Sequence, residues 1–358
     1  MKVVVALSGG VDSSTAAARL CNQGHDVLGA TLRLADLSSC GLGASRCCSP
    51  GDLERAARVC WQLGIPHHVV EAGVGFQHEV IEPFVDAYLG GRTPSPCIRC
   101  NSRVKMGALV PFARQVGAEA VATGHYARCD ADGQGSARLW RGADADKDQS
   151  YFLFDLSRDQ LEMLRLPLGE SSKAEVRAEA ASLGLASAAQ PDSQEICFVP
   201  VDGSYVQVIE ALAPDRRPPA GDIVDGTGRV LGQHRGVHLF TVGQRTGLGV
   251  ATGERLYVVA LDATENRVVL GRQGELQRRR LDLEQVNWLL PDEPAGELRA
   301  SVQVRSRHRP ASATVLPLPE GRAEVWFDAP VSAPAPGQAA VFYDGNRVLG
   351  GGWIARAS

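Results

Sequence analysis

Several things are scarce in this 358-residue chain. Aromatic residues make up 6% of it, and no apolar run approaches the length of a membrane span. The first apolar run, Val3 to Leu7, is too short for the core of a signal peptide and reads as a buried strand. The expected compartment is therefore the cytoplasm, with no membrane partner. A charge excess of one sign is missing too: the net charge is −4, so the bulk charge does not advertise nucleic acid as a partner. Local clusters do hint at one, namely Arg278-Arg279-Arg280 and Arg305, Arg307, His308 and Arg309, although a solvated edge is the plainer reading of such clusters. Cysteine is absent after Cys197. The nine cysteines are Cys21, Cys40, Cys47, Cys48, Cys60, Cys97, Cys100, Cys129 and Cys197. An odd, front-loaded set does not make a secreted disulfide framework, which would spread its bridges over the domains it staples. It fits a reducing compartment with a few thiols in chemical use. No internal repeat and no low-complexity segment stands out.

The length exceeds one typical core and predicts two or three domains. Over the first ~125 residues strand and helix patterns alternate. Strands are expected at Val3–Leu7, Val27–Leu34, His67–Val70 and Ala120–Thr123. Helices are expected at Ser13–Asn22, Asp52–Leu63, Phe76–Leu89 and Arg103–Val116. Such alternation predicts an α/β domain with a parallel, doubly wound sheet, which binds ligands at the carboxyl ends of its strands. Leu156–Leu185 reads as helical. Beyond Pro214 helical periodicity stops. Short β patterns follow at Val237–Thr241, Tyr257–Leu261, Arg267–Leu270, Ala300–Val304, Ala313–Leu316, Ala323–Phe327 and Ala339–Tyr343. They predict two small β-rich, barrel-like domains. The boundaries are expected near 205 and 273, giving domains at 1–205, 206–272 and 273–358.

The stretch Ala6-Leu7-Ser8-Gly9-Gly10-Val11-Asp12-Ser13-Ser14 follows the first strand and opens a helix. Gly9 and Gly10 let phosphate oxygens approach backbone amides, and the helix N-terminus adds partial positive charge. Asp12 is odd beside phosphates unless a divalent cation such as Mg²⁺ bridges them. No lysine follows, as it would in a GxxxxGK[ST] loop, so the loop suits a pyrophosphate that leaves as a unit. An isolated Ser-Gly-Gly would be only a strand-to-helix turn; the full segment after a buried strand points to phosphate.

Ser8-Gly-Gly-Val-Asp-Ser13 resembles the fingerprint of the ATP-pyrophosphatase (PP-loop) superfamily, whose members split ATP between its α- and β-phosphates and attach AMP to a substrate oxygen. Further stretches narrow the resemblance: Gly91-Arg-Thr-Pro-Ser-Pro-Cys-Ile-Arg-Cys-Asn101, Ala122-Thr-Gly-His-Tyr126, Lys147-Asp-Gln-Ser-Tyr-Phe-Leu153, Asp192-Ser-Gln-Glu-Ile-Cys-Phe198, Thr241-Val-Gly-Gln-Arg-Thr-Gly-Leu-Gly249 and Pro336-Gly-Gln-Ala-Ala-Val-Phe-Tyr343. Together, from residue 2 to about 353, they are similar to the tRNA-specific 2-thiouridylase family. That resemblance implies ATP binding by Ala6 to Ser13 with backbone at Leu32 and Gly124. It implies a persulfide on Cys197 and a partner thiol at Cys100. It implies contact with the target base by Ser95-Pro96-Cys97, and tRNA contacts at His125, Lys147-Asp148-Gln149, Arg305-Ser306 and Gln338. The implied partners are the tRNA anticodon loop and a sulfur-relay protein or cysteine desulfurase. The implied reaction is 2-thiolation of the wobble uridine, with AMP and pyrophosphate released.

Read alone, Cys197 between Ile196 and Phe198 would be a small core residue. Cationic neighbours such as Arg99 or Arg103 would raise the thiolate fraction of a nearby cysteine. Two departures from the family pattern matter. Many members carry Asp where this chain has Cys97, so an acid–base role does not transfer there. Cys97 and Cys100 instead form CxxC, and with Cys197 they suggest three ligands for a [4Fe-4S] cluster as an alternative sulfur carrier. Relatives often have Arg-Tyr where this chain has Arg305-Ser306, so a stacking aromatic is missing. Two rival functions stay open: a small-molecule PP-loop ligase, which needs neither Cys100 nor Cys197, and a non-catalytic tRNA-binding or iron–sulfur protein.

Overall fold

A computed structural model of the protein describes residues 1–34, 50–132, 135–190, 196–200, 203–251 and 253–358. Cys40, Cys47, Cys48 and the Asp192–Glu195 part of the cysteine motif lie outside the described residues.

The N-terminal region is built on a sheet of strands β1 (Lys2–Ala6), β2 (Asp26–Arg33), β3 (His67–Glu71) and β4 (Ala120–Ala122). A hairpin, β5 (Ala127–Ala131) and β6 (Ala137–Arg141), follows, and then the two-residue strand β7 (Leu164–Arg165). The sheet order is β3-β2-β1-β4-β7, and every pairing is parallel. Successive side chains of a strand point to opposite faces. Val3, Val5 and Leu7 pack under α1 (Val11–Asn22) and α2 (Pro50–Leu63) through Ala17, Leu20, Ala56 and Cys60. Val4, Leu28, Ala30 and Leu32 pack on the opposite face, against Ile98, Val104 and Leu109. Covering on both faces is what lets these strands be nearly continuous apolar runs.

On that second face α3 (Gly73–Phe76) and α4 (Glu82–Leu89) are joined by a π-helical segment, Gln77–Ile81. Another, Cys100–Lys105, joins α5 (Pro96–Arg99) to α6 (Met106–Gln115). The stretch 156–185, read as helical, is interrupted. α7 (Arg158–Met163) ends in β7, and Pro167 and Gly169 occupy the turn before α8 (Lys173–Ser182). Ser157 and Ser172 each start a helix with a capping box, so the two helices are separate units.

After α9 (Tyr205–Leu212) come β8 (Gly221–Asp225), β9 (Val230–His234), β10 (Tyr257–Asp262) and β11 (Arg267–Gly271), in the order β10-β11-β8-β9. The strand expected at Val237–Thr241 is instead a 3₁₀ turn at Val237–Leu239. Its neighbours Val237 and His238 are both buried, which an alternating strand does not allow. The last region has β12 (Gln277–Trp288), β13 (Leu298–Gln303), β14 (Ala311–Leu318), β15 (Arg322–Ser332), β16 (Ala339–Asp344) and β17 (Arg347–Ala357). They pair as β12-β15-β14-β13-β16-β17, and β17 pairs back with β12, closing a six-stranded barrel. The fold is thus the expected parallel α/β domain followed by β-rich domains.

The barrel is part of the site's scaffold. Trp353, Tyr343, Val341 and Ala339 share one core with Phe154, Tyr151 and the helices on the second sheet face. The Tyr151 hydroxyl donates to Ala339 O at 2.9 Å, and Asn287 Nδ2 donates to Phe154 O at 2.7 Å. The α4 end of the first domain meets both α9 and the middle domain: the Tyr88 and Tyr205 rings stack at 4.4 Å, and Gly91 packs on Leu261 and Val237.

Candidate active site

The loop of Leu7 to Gly10 leaves the carboxyl end of β1 and enters α1. Gly9 has φ +74°, and a side chain there would meet Asp52 O at 2.6 Å, so no other residue fits. Ser13 ties the loop to itself: its hydroxyl donates to Gly10 O at 3.1 Å and accepts from Ser8 N at 3.2 Å. Gly10 is the N-cap of α1 and no side chain caps the helix, so its first-turn amides face the loop. Gly124, just past β4, lies against the start of α1; a Cβ on it would sit 2.7 Å from Ser13 N. Leu32, next to last in β2, the strand paired with β1, is buried on the second face of the sheet. The carboxyl ends of three neighbouring strands therefore frame one site.

Asp12, expected from the sequence to meet a divalent cation, has two side-chain partners from the protein itself. Lys173 Nζ lies 2.7 and 2.8 Å from its two carboxylate oxygens, and the Tyr126 hydroxyl donates to Oδ1 at 2.7 Å. Gln149 Oε1 accepts from Tyr126 N at 2.9 Å, which holds that tyrosine in place. Lys173 is the first residue of α8. The Ser172-to-Glu175 capping box announces that helix start in the sequence, but nothing local shows that it ends at Asp12.

The thiols lie on the second face of the sheet. Cys100 is buried in the core at the start of the π-helical segment, and Cys197 packs half-buried against the same core. Phe198 anchors Cys197 by edge contacts with Phe84 at 4.9 Å and Phe76 at 5.9 Å. Cys97, in α5, is open to solvent yet walled in by its surroundings. That walling and the nearby Cys197 push its thiol pKa up, while the Lys105 ammonium opposes the rise. The cation facing Cys97 is thus Lys105, not Arg99 or Arg103. Arg99 lies over Trp353 at 5.0 Å and donates to Gln285, and Arg103 reaches Asp155 at 3.9 Å. Lys105 also donates to Asn101 Oδ1 at 2.8 Å. Burial, with help from Lys105, pushes the His125 pKa down to about 3, so the ring is neutral; Nδ1 lies 2.8 Å from Thr123 Oγ1. His125 follows Gly124, so the loop and the Cys97 surroundings meet at one edge of the sheet. Among the described residues no three His, Cys, Asp or Glu side chains come together closely enough to hold a metal ion. Of the three cysteines that the CxxC spacing suggested as ligands, Cys97 is exposed, Cys100 buried and Cys197 half-buried.

The remaining candidates surround this edge. Ser95 precedes α5 without capping it, and Pro96 is its buried first residue. Asp148 is committed internally: it pairs with Arg141 at 2.6 Å and accepts from Gly142 N, Ser150 N and Ser150 Oγ. Lys147 N donates to Asp144 O in the preceding turn. In the barrel, buried Gln303 donates to Arg305 O and Ser306 O, holding the exposed turn that carries Arg305, Ser306, Arg307 and Arg309. Gln338 donates to Thr93 O at 3.1 Å and Pro94 O at 3.2 Å, so its amide fixes the approach to Ser95. Of the Arg278–Arg280 cluster, Arg280 pairs with Asp282 and Glu324 within the barrel, and Arg278 donates to Glu275 O and to Val259 O of the middle domain.

Family models match in three consecutive pieces: a tRNA methyl transferase HUP domain over residues 1–201, a tRNA methyl transferase PRC-barrel domain over 209–272 and an aminomethyltransferase beta-barrel domain over 278–354. Curated relatives match end to end. The tRNA-specific 2-thiouridylase MnmA of Trichormus variabilis is 48% identical, covering 100% of this chain and 99% of the relative. That of Paramagnetospirillum magneticum is 50% identical, covering 99% and 95%. A more distant solved structure, an NMN synthetase from Francisella tularensis, is 17% identical with a TM-score of 0.33, over 60% of this chain and 76% of that one. Full-length identity at this level, over a chain that carries the phosphate loop, both motif cysteines and the closed barrel, means that the chain belongs to the tRNA-specific 2-thiouridylase MnmA family.

Proposed function

We propose that this protein is an ATP-dependent tRNA 2-thiouridylase acting on the wobble uridine, in the cytoplasm. The supporting observation is that the phosphate loop and, through His125 and Lys105, the Cys97 segment come together at the carboxyl edge of one sheet. Nothing in a small-molecule ligase requires that meeting, and a carrier protein requires no loop. The anticodon loop would lie against the Arg305–Arg309 turn and the Thr93–Cys97 segment, with the target base turned out of its stack toward Cys97.

Two steps follow. The uracil O2 attacks the α-phosphorus of Mg-bound ATP, held by the loop from Ala6 to Ser13 with Leu32 and Gly124. The bond to the bridging oxygen breaks and pyrophosphate leaves with its electron pair, while the N3 proton passes to water. The terminal sulfur of a Cys197 persulfide then adds at C2. The Cys100 thiolate attacks Cys197 Sγ, cleaving the S–S bond and leaving the outer sulfur on the base, and AMP departs as C2=S forms. The product enzyme holds a Cys100–Cys197 disulfide. A thiol reductant reopens it, and a sulfur-relay protein or cysteine desulfurase reloads Cys197. In this reading the π-helical segment at Cys100–Lys105, whose turn is wider than that of an α-helix, gives Cys100 its freedom to reach Cys197.

In-vitro transcribed tRNA, ATP, and a cysteine desulfurase with cysteine as the persulfide donor, scored by nucleoside mass, test this reading. Wild type should yield 2-thiouridine with AMP and pyrophosphate, and Cys197→Ser should lose thiolation by about a thousandfold with ATP binding intact. Full activity of Cys197→Ser, or iron and sulfide retained stoichiometrically after anaerobic purification, would remove the persulfide from the scheme.

A further inference from the structure

The loop lacks a lysine of its own, and the tertiary structure brings one to it. Lys173 sits on the Asp12 carboxylate at 2.7 Å, and its side chain is only 11% exposed. Its position is built. Arg19 of α1 grips Glu179 of α8 with two nitrogens and also donates to Pro167 O and Ser171 Oγ. Ala18 packs with Ala180, and Ala16 with Val176. Contacts at the first turns (Asp12 with Lys173) and again farther along (Arg19 with Glu179) mean that the two helices run parallel, with both N-termini at the loop. Composition strengthens the case. Of 37 lysines and arginines only four are lysine: Lys2, Lys105, Lys147 and Lys173. One of the four, Lys173, falls at the loop. An ammonium is a compact point charge able to sit against a carboxylate and then against a phosphate.

Resting on the reading above, we infer that Lys173 is a catalytic residue that binds the departing pyrophosphate. As the bond from the α-phosphorus to the bridging oxygen breaks, negative charge grows on the β-phosphate. Lys173 swings from Asp12 to that charge and transfers no proton. The Asp12 carboxylate it vacates is then available to the Mg²⁺ that accompanies ATP. The resting ion pair thus holds the two opposite charges against each other beside the loop.

Direct calorimetric binding of Mg-pyrophosphate and of AMP to wild type, Lys173→Gln and Lys173→Arg tests this. Losing one charge-assisted contact should weaken pyrophosphate by about 30-fold in Lys173→Gln while AMP changes less than about threefold, and Lys173→Arg should recover part of the loss. Unchanged pyrophosphate affinity in Lys173→Gln overturns the inference. So does an equal loss of AMP and pyrophosphate, which marks Lys173 as a prop for the loop. A wild type that forms no AMP with tRNA would defeat the thiouridylase reading instead, whatever the binding data.

Discussion

At the residue scale the site is governed by a few charges in confined places. Lys105 is the clearest case. It opposes the rise of the Cys97 pKa and helps keep His125 neutral. Replacing Lys105 by Gln should therefore raise the Cys97 pKa and slow its alkylation by iodoacetamide at pH 8 by several-fold, since only the thiolate reacts. Peptide mass spectrometry over a time course measures this; an unchanged rate would show that Lys105 does not act on Cys97. The CxxC was legible in the sequence, but its electrostatic partner was not. Arg99 and Arg103 are nearer along the chain than Lys105 is to Cys97 in any local sense, yet their side chains are drawn away to Trp353, Gln285 and Asp155.

At the element scale the phosphate loop depends on close backbone approach. Gly124 and Gly24 make a useful contrast. A Cβ on Gly124 would press on Ser13 N at 2.7 Å and on Asp12 C at 2.8 Å, both backbone atoms that cannot yield without shifting the start of α1. Gly24 has φ +78° and nothing within 4 Å, so only its conformation is at stake. Gly124→Ala should weaken ATP binding by at least about tenfold, whereas Gly24→Ala should cost about 1–2 kcal/mol of stability and leave ATP affinity alone. Calorimetry and denaturant unfolding on the two variants separate these outcomes, and normal ATP binding by Gly124→Ala would show that the approach is not needed. The helices around the loop were readable from capping residues and apolar spacing. The π-helical segments and the two-residue β7 were not, because each is set by what it packs against.

At the scale of the whole molecule, burial leaves a common mark on the histidines. His67, His125, His234, His238 and His308 all have pKa values lowered, in each case first by burial. The unfolded chain, with ordinary histidines near 6.5, binds more protons than the fold below that pH. Their contribution is complete above about 6.5 and is lost as pH falls toward the folded values. His125 alone, at about 3, should cost about 2 kcal/mol between pH 7 and 5. Lowered carboxylates such as Asp130 and Asp225 act in the same direction, but only below about 4. Asp155, raised by burial, acts the other way. The denaturant midpoint should thus fall from pH 7 to 5 with the slope of the transition unchanged; a flat profile would mean that these rings are solvated.

Local order wrote much of this protein. Alternating apolar residues set the strands of the parallel sheet, glycines and serines set the loop, and the β patterns after Pro214 set the barrel class, because each depends on neighbours a few positions away. Tertiary structure alone decided that Lys173 meets Asp12, that Lys105 faces Cys97 and that Gln338 holds the segment before Ser95. Those pairings join residues that lie far apart in the chain or on different faces of one helix. Only the packing of α8 on α1, and of the barrel on the second sheet face, fixes their distances.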